Sequence, residues 1–195
     1  MRRFLATLLL AAMVTPAAAE SRTETAIFAG GCFWSMEHDM EHIPGVISAV
    51  SGYTGGKLDK PTYKDVVKET TGHYEAVKVT FDPAKISYRQ LVDRYWHVID
   101  PLDAGGAYCD RGESYRSAIF VTKEQRKIAE ASKAAQKPPT REPIATVIKD
   151  AVTFWQAEEY HQDYAKKNPG HYFSYRKGCG KDARTKALWG ERAFK

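Results

Sequence analysis

Gly30-Gly31-Cys32-Phe33-Trp34 sets one thiol between a glycine pair and two large aromatic rings. Upstream, Thr25 to Ala29 reads as a short apolar strand; downstream, Phe33 to Ile43 carries apolar residues at helical spacing. Cys32 is thereby placed at the first turn of a helix, where unpaired N–H groups and the positive end of the helix dipole favour an anion. Such a setting lowers a thiol pKa and enriches the thiolate, which is the attacking form. Free cysteines are also among the most buried residue types, and simple packing is the competing reading.

Two further cysteines, Cys109 and Cys179, bring the total to three. In an oxidising compartment an odd count leaves at least one thiol free or redox-active. No C-x-x-C pair occurs, and no cysteine has histidine at zinc-finger spacing, so no metal is expected. The histidines His73, His161 and His171 leave a cysteine hydrolase open, with one of them as base.

These residues need elements to hold them, and strand and helix signals alternate along the chain. Gly45 to Tyr53 and His73 to Phe81 alternate as strands, the second stopped by Asp82-Pro83. Ser87 with Gln90 and Thr122 with Gln125 are capping boxes, which predict helices from Tyr88 to about Ile99 and from Lys123 to about Lys137. The glycine-rich stretch from Asp103 to Ser114 reads as a functional loop leading into a strand, Tyr115 to Val121. Ile144 to Ile148 is a further strand and Ala157 to Lys166 a helix. An irregular tail follows at about 168–195. The mixture predicts an α/β or α+β fold: a two-layer sandwich with a mixed β-sheet covered by helices.

Arg2 and Arg3 followed by the apolar run Phe4 to Val14 and by Ala17-Ala18-Ala19 have the form of a cleavable signal peptide over 1–19. That leaves 20–195 as a single catalytic domain, located in the periplasm or secreted, with no membrane span after cleavage. The formal charge is +5, two of it from Arg2 and Arg3, and the lysines are scattered. A nucleic-acid binder is excluded on that ground.

Six segments, in order and spacing, carry a resemblance. They are Gly31-Cys32-Phe33-Trp34, Gly52-Tyr53-Thr54-Gly55-Gly56, Pro61-Thr62-Tyr63, Thr71-Gly72-His73-Tyr74-Glu75, Phe81-Asp82-Pro83 and Asp110 through Ile119. The chain resembles the A-type peptide-methionine sulfoxide reductases over about 25–190. The resemblance implies a ferredoxin-like core within the two-layer sandwich, and reduction of the S epimer of methionine sulfoxide, free or in proteins. Sulfoxide sulfur becomes electrophilic when its oxygen is protonated, so the chemistry needs a thiolate and an acid together. Cys32 is implied as the nucleophile and Glu75 as the acid, with Tyr63 and Tyr115 polarising the oxygen and Asp110 joining the same polar site. Phe33 and Trp34 are implied to hold the S-methyl group.

Attack leaves Cys32 as a sulfenic acid, which a second thiol resolves to a disulfide. By resemblance the resolving thiol is Cys179, bonding to Cys32. Cys109 ranks second for that task and is otherwise a bystander. With one C-terminal cysteine, a two-step disulfide relay through that tail is excluded, and an external thioredoxin-like reductant is expected to attack the Cys32–Cys179 bond. No cofactor is implied, and a monomer is expected. Ser35 stands where many relatives have glycine and Tyr74 where alanine is frequent. A thiol peroxidase and a redox-switched binding protein are the alternative readings.

Overall fold

The computed structural model describes residues 22–195, so the signal-peptide reading of 1–19 lies outside the described residues. In chain order the elements are β1 (Glu24–Ala29), α1 (Phe33–Glu41), β2 (Val46–Thr54), α2 (Tyr63–Val66), β3 (Tyr74–Phe81), α3 (Tyr88–Trp96), β4 (Gly106–Ala107) and β5 (Asp110–Arg111). A 3-10 turn at Glu113–Tyr115 then leads to β6 (Ala118–Val121), α4 (Lys123–Ala135), β7 (Val147–Asp150) and β8 (Trp155–Gln156). After a second 3-10 turn, Glu159–His161, come α5 (Tyr164–Lys167), α6 (Pro169–Gly178) and α7 (Lys181–Trp189).

The main sheet has the order β7-β6-β1-β3-β2-β8. Its centre, β6-β1-β3-β2, is antiparallel at each step. β1 and β2 therefore run parallel with β3 between them, a geometry that needs a crossover, and α1 supplies it. α3 does the same between β3 and β6. Two interleaved β-α-β units of this kind are the ferredoxin-like arrangement. β7 joins β6 in parallel and makes the sheet mixed.

Strand periodicity sorts the side chains. Val77, Val79 and Phe81 of β3 join the main core with Phe28 and with Met36 and Met40 of α1, while Tyr74 and Ala76 face a smaller cluster on the other side. Glu75 has the parity of Val77, so its carboxyl points to the core face beneath α1, and it is 1 % exposed. Both capping boxes form: Ser87 and Thr122 accept from Gln90 N–H and Gln125 N–H, each at 3.3 Å.

Three expectations are corrected. The tail is not irregular but helical, because its polar residues find long-range partners. Arg176 Nη1 on α6 lies 2.7 Å from Asp39 Oδ1 on α1, and Lys181 Nζ on α7 donates to Val98 O at 2.7 Å. The expected helix over 157–166 is broken, because Asp163 adopts φ 53° and its N–H is taken by both oxygens of the buried Glu37 carboxylate. Tyr115 belongs to a 3-10 turn and not to a strand, which begins at Ala118.

Candidate active site

Cys32 is the N-cap of α1, and its carbonyl accepts from Ser35 N–H at 3.1 Å and Met36 N–H at 3.2 Å. Gly31 enters this turn with φ +98°, and an added Cβ there would lie 2.8 Å from Ala107 Cβ. The turn thus requires glycine for both conformation and space.

The first N–H of the helix, on Phe33, donates to Glu75 Oε2 at 3.0 Å. The anion-stabilising position expected for the Cys32 thiolate is therefore shared with a carboxyl. Burial pushes the Cys32 thiol up, and the neighbouring Glu75 and Asp110 carboxylates add to it; the Tyr175 hydroxyl and Trp34 N–H oppose. The expected lowering of the thiol pKa is not realised in this state, since desolvation and two acids outweigh one helix turn. Burial likewise raises Glu75 to about 8, against the Phe33 N–H. A carboxyl in that range is protonated at neutral pH and can act as an acid.

Tyr63 opens α2, held by its N–H donating to Glu158 Oε1 at 2.9 Å, while Glu158 Oε2 accepts from Tyr53 at 2.9 Å. Tyr115 ends a 3-10 turn that Glu69 secures through Ser114 N–H at 2.9 Å and Ser114 Oγ at 2.6 Å. The two tyrosines and Glu75 act on one another's ionisation, and burial pushes both phenols up. They remain neutral donors. Asp110 accepts from the Tyr175 hydroxyl.

Phe33 is buried, its ring 4.9 Å from that of His161 and 5.7 Å from that of Tyr53. Trp34 stacks on Tyr164 at 3.7 Å and donates its indole N–H to His161 Nδ1 at 3.0 Å. That bond puts the His161 proton on Nε2, and burial lowers its pKa. His73 is tied to Gly56 N–H and Leu58 O, and His171 to Tyr164. None of the three is hydrogen-bonded to Cys32, which removes the support for a hydrolase dyad.

The third and second cysteines are joined to each other: Cys109 and Cys179 form a disulfide with Cα atoms 4.9 Å apart, and Cys32 is free. The expected pairing of Cys179 with Cys32, and the bystander role for Cys109, do not describe this state. The reason is placement: the C-terminus of α6 lies over the β4–β5 hairpin, so Cys179 meets Cys109. Cys179 still borders one small cavity with Cys32, of about 10 Å³, together with Asp110 and Tyr175. Cys109, Asp110 and Cys179 are grouped closely enough to be considered as metal ligands, but the two sulfurs are bonded to each other and offer no thiolate.

The structure therefore brings Cys32, Glu75, Tyr63, Tyr115, Asp110, Phe33 and Trp34 to one place, with Cys179 behind. Sequence reasoning missed Tyr175, the partner of Asp110, and Glu158, which holds Tyr63; it offered His161 only as a hydrolase base, whereas the structure sets it to orient Trp34. No local spacing marks them.

A sequence model of the family described as peptide methionine sulfoxide reductase matches residues 24–193. The chain belongs to this family. A peptide methionine sulfoxide reductase MsrA 2 of Caulobacter vibrioides is 57 % identical over 188 residues, covering 96 % of each chain. MsrA of Bacillus licheniformis is 50 % identical, covering 89 % of this chain and 97 % of its own. Among solved structures, Mxr1 of Saccharomyces cerevisiae in reduced form aligns with TM-score 0.67 and 32 % identity over 76 % of this chain and 87 % of that one. Methionine sulfoxide reductase A of Corynebacterium diphtheriae gives TM-score 0.62 and 30 % identity over 77 % of each. The sulfoxide reductase fold is thus shared, with the ferredoxin-like centre read above.

Proposed function

We propose that this reductase converts methionine S-sulfoxide, free and in proteins, to methionine, with Cys32 as nucleophile and Glu75 as acid. The observation that carries the roles is the buried Glu75 carboxyl at the N-terminus of the cysteine's own helix, flanked by the Tyr63–Tyr115 pair. Sulfoxide oxygen bound by these three groups accepts the Glu75 proton as Cys32 sulfur attacks the sulfoxide sulfur. The transient bond between the two sulfurs and the substrate's sulfur–oxygen bond then break together as the hydroxyl passes to the Cys32 sulfur, which releases methionine and leaves Cys32 as a sulfenic acid. Phe33 and Trp34 receive the methyl group. In the R epimer the oxygen would face these rings and leave three polar groups unpaired.

Resolution uses both other cysteines. Cys179 attacks the Cys32 sulfenic sulfur, releasing water and forming a Cys32–Cys179 bond. Cys109 then attacks Cys179, which frees Cys32 as a thiol and leaves the Cys109–Cys179 disulfide seen here. Cys109 is exposed, so a thioredoxin-like dithiol is the fitting reductant. The leader-like 1–19 supports export to the periplasm or beyond, with 20–195 acting there as a monomeric domain.

Counting methionine tests this. Fully reduced protein given S-sulfoxide without reductant should release two equivalents, one through the Cys109/Cys179 dithiol and one that leaves Cys32 as sulfenic acid. Cys109→Ser should release one. Two equivalents from Cys109→Ser would refute the relay, and consumption of the R epimer or of peroxide alone would refute the substrate.

A further inference from the structure

Attack by Cys32 needs a thiolate, yet its sulfur sits in a desolvated pocket beside two acids. Glu75 gives a proton in the proposed reaction and cannot also remove one. The groups facing Cys32 are Glu75 from β3, Tyr63 from α2, Tyr115 from the 3-10 turn, Asp110 from β5 and Tyr175 from α6; Lys181 of α7 acts on Asp110. Of these groups Tyr175 borders the same small cavity as the sulfur and is hydrogen-bonded to a carboxylate. Its hydroxyl donates to Asp110 Oδ2, and Tyr175, Asp110 and Cys32 line one small cavity.

We infer that Tyr175 is a catalytic residue that passes the Cys32 proton to Asp110, making Asp110 the base that generates the thiolate. This rests on Cys32 being the nucleophile of the proposed reaction. The sulfur–hydrogen bond breaks and sulfur keeps the electron pair; the proton goes to the Tyr175 oxygen while the Tyr175 proton moves to Asp110 Oδ2. Before transfer the pair is thiol and carboxylate; afterwards it is thiolate and carboxylic acid. Tyr175 donates to the thiolate and accepts from Asp110 in the second state, so it holds both products. Burial raises Asp110, which suits a base. The two carboxyls thereby divide the work: Glu75 delivers a proton to substrate oxygen on one side of Cys32, and Asp110 takes the thiol proton on the other.

The test is alkylation of Cys32 by iodoacetamide as a function of pH in the protein bearing the Cys109–Cys179 bond, where Cys32 is the free thiol. Wild type should show a rate nearly flat across neutral pH, because the proton moves within the pair and not to solvent. Tyr175→Phe and Asp110→Asn should each lower that rate on the order of a hundredfold, the lower end of the usual scale for a lost proton acceptor, leaving the rise at high pH. The double variant should be no slower than either single one, as members of one relay behave. An unchanged neutral rate in Tyr175→Phe would overturn the inference. So would faster alkylation in Asp110→Asn, the result if Asp110 only repelled the thiolate. Should Tyr175→Phe fail to keep its disulfide, Asp110→Asn decides alone. Alkylation uses no sulfoxide, so a failure to reduce sulfoxide would remove the substrate reading without deciding the relay.

Discussion

At the scale of single residues, the chemistry depends on where each proton sits. Glu75 is raised to about 8 by burial, so it is protonated below that value and ionised above it. The sulfoxide oxygen needs the protonated form; turnover by the wild type should therefore decline as pH rises through about 8. Glu75→Gln should lose on the order of a hundredfold in rate and also lose that alkaline limb, since an amide donates a hydrogen bond but not a proton. A pH–rate profile for both proteins checks this, and an alkaline limb surviving in the variant would assign it to another group. Cys32, Glu75, Tyr63, Tyr115 and Asp110 were legible because short motifs name them in order. Tyr175 was not, and His161 was legible only as a candidate base, since each matters through an atom on a distant element: Cys32 and Trp34 lie 143 and 127 positions away from them in the chain.

At the scale of elements, the nucleophile is placed by one turn between β1 and α1. Gly31→Ala should destabilise the protein by about 1–3 kcal/mol, from a side chain forced to φ > 0 and a Cβ driven against Ala107. It should also slow reduction by tilting the first turn of α1, on which both Cys32 and the Phe33 N–H depend. Urea unfolding and turnover together measure the two effects; an unchanged midpoint would mean that the turn relaxes freely. Local signals foretold α3 and α4, because a capping box is complete within four residues. They failed over 157–166, where the apolar spacing suits a helix but Glu37, 126 positions away, pins Asp163 in a left-handed conformation. Glu37 itself is raised to about 7 by burial, a further sign that tertiary placement and not local pattern governs this corner.

At the scale of the whole molecule, the last two helices are fastened to the first by charge. Asp39 meets Arg176 at 2.7 Å and Lys181 at 3.3 Å, all three buried. Asp39→Ala would leave buried Lys181 without its carboxylate and Arg176 with Asp182 alone, and should cost about 3–5 kcal/mol, read as a lower denaturation midpoint. Turnover should fall with it, since α6 carries Tyr175 and leads into Cys179. The ferredoxin-like order came from a family likeness, because strand order depends on registers that no single segment encodes. The Cys109–Cys179 pairing of this state was not legible for the same reason: three cysteines permit three pairings, and only the packing of α6 over β4–β5 selects this one. That two-stranded hairpin is a small element, yet Cys109 and Asp110 are neighbours in it. In the proposed reaction an oxidised sulfur is discharged, and a thiol deprotonated, through adjoining residues of one ribbon. On that proposal the hairpin would be a common outlet for electrons and protons, and a reductant docking there would meet both at once.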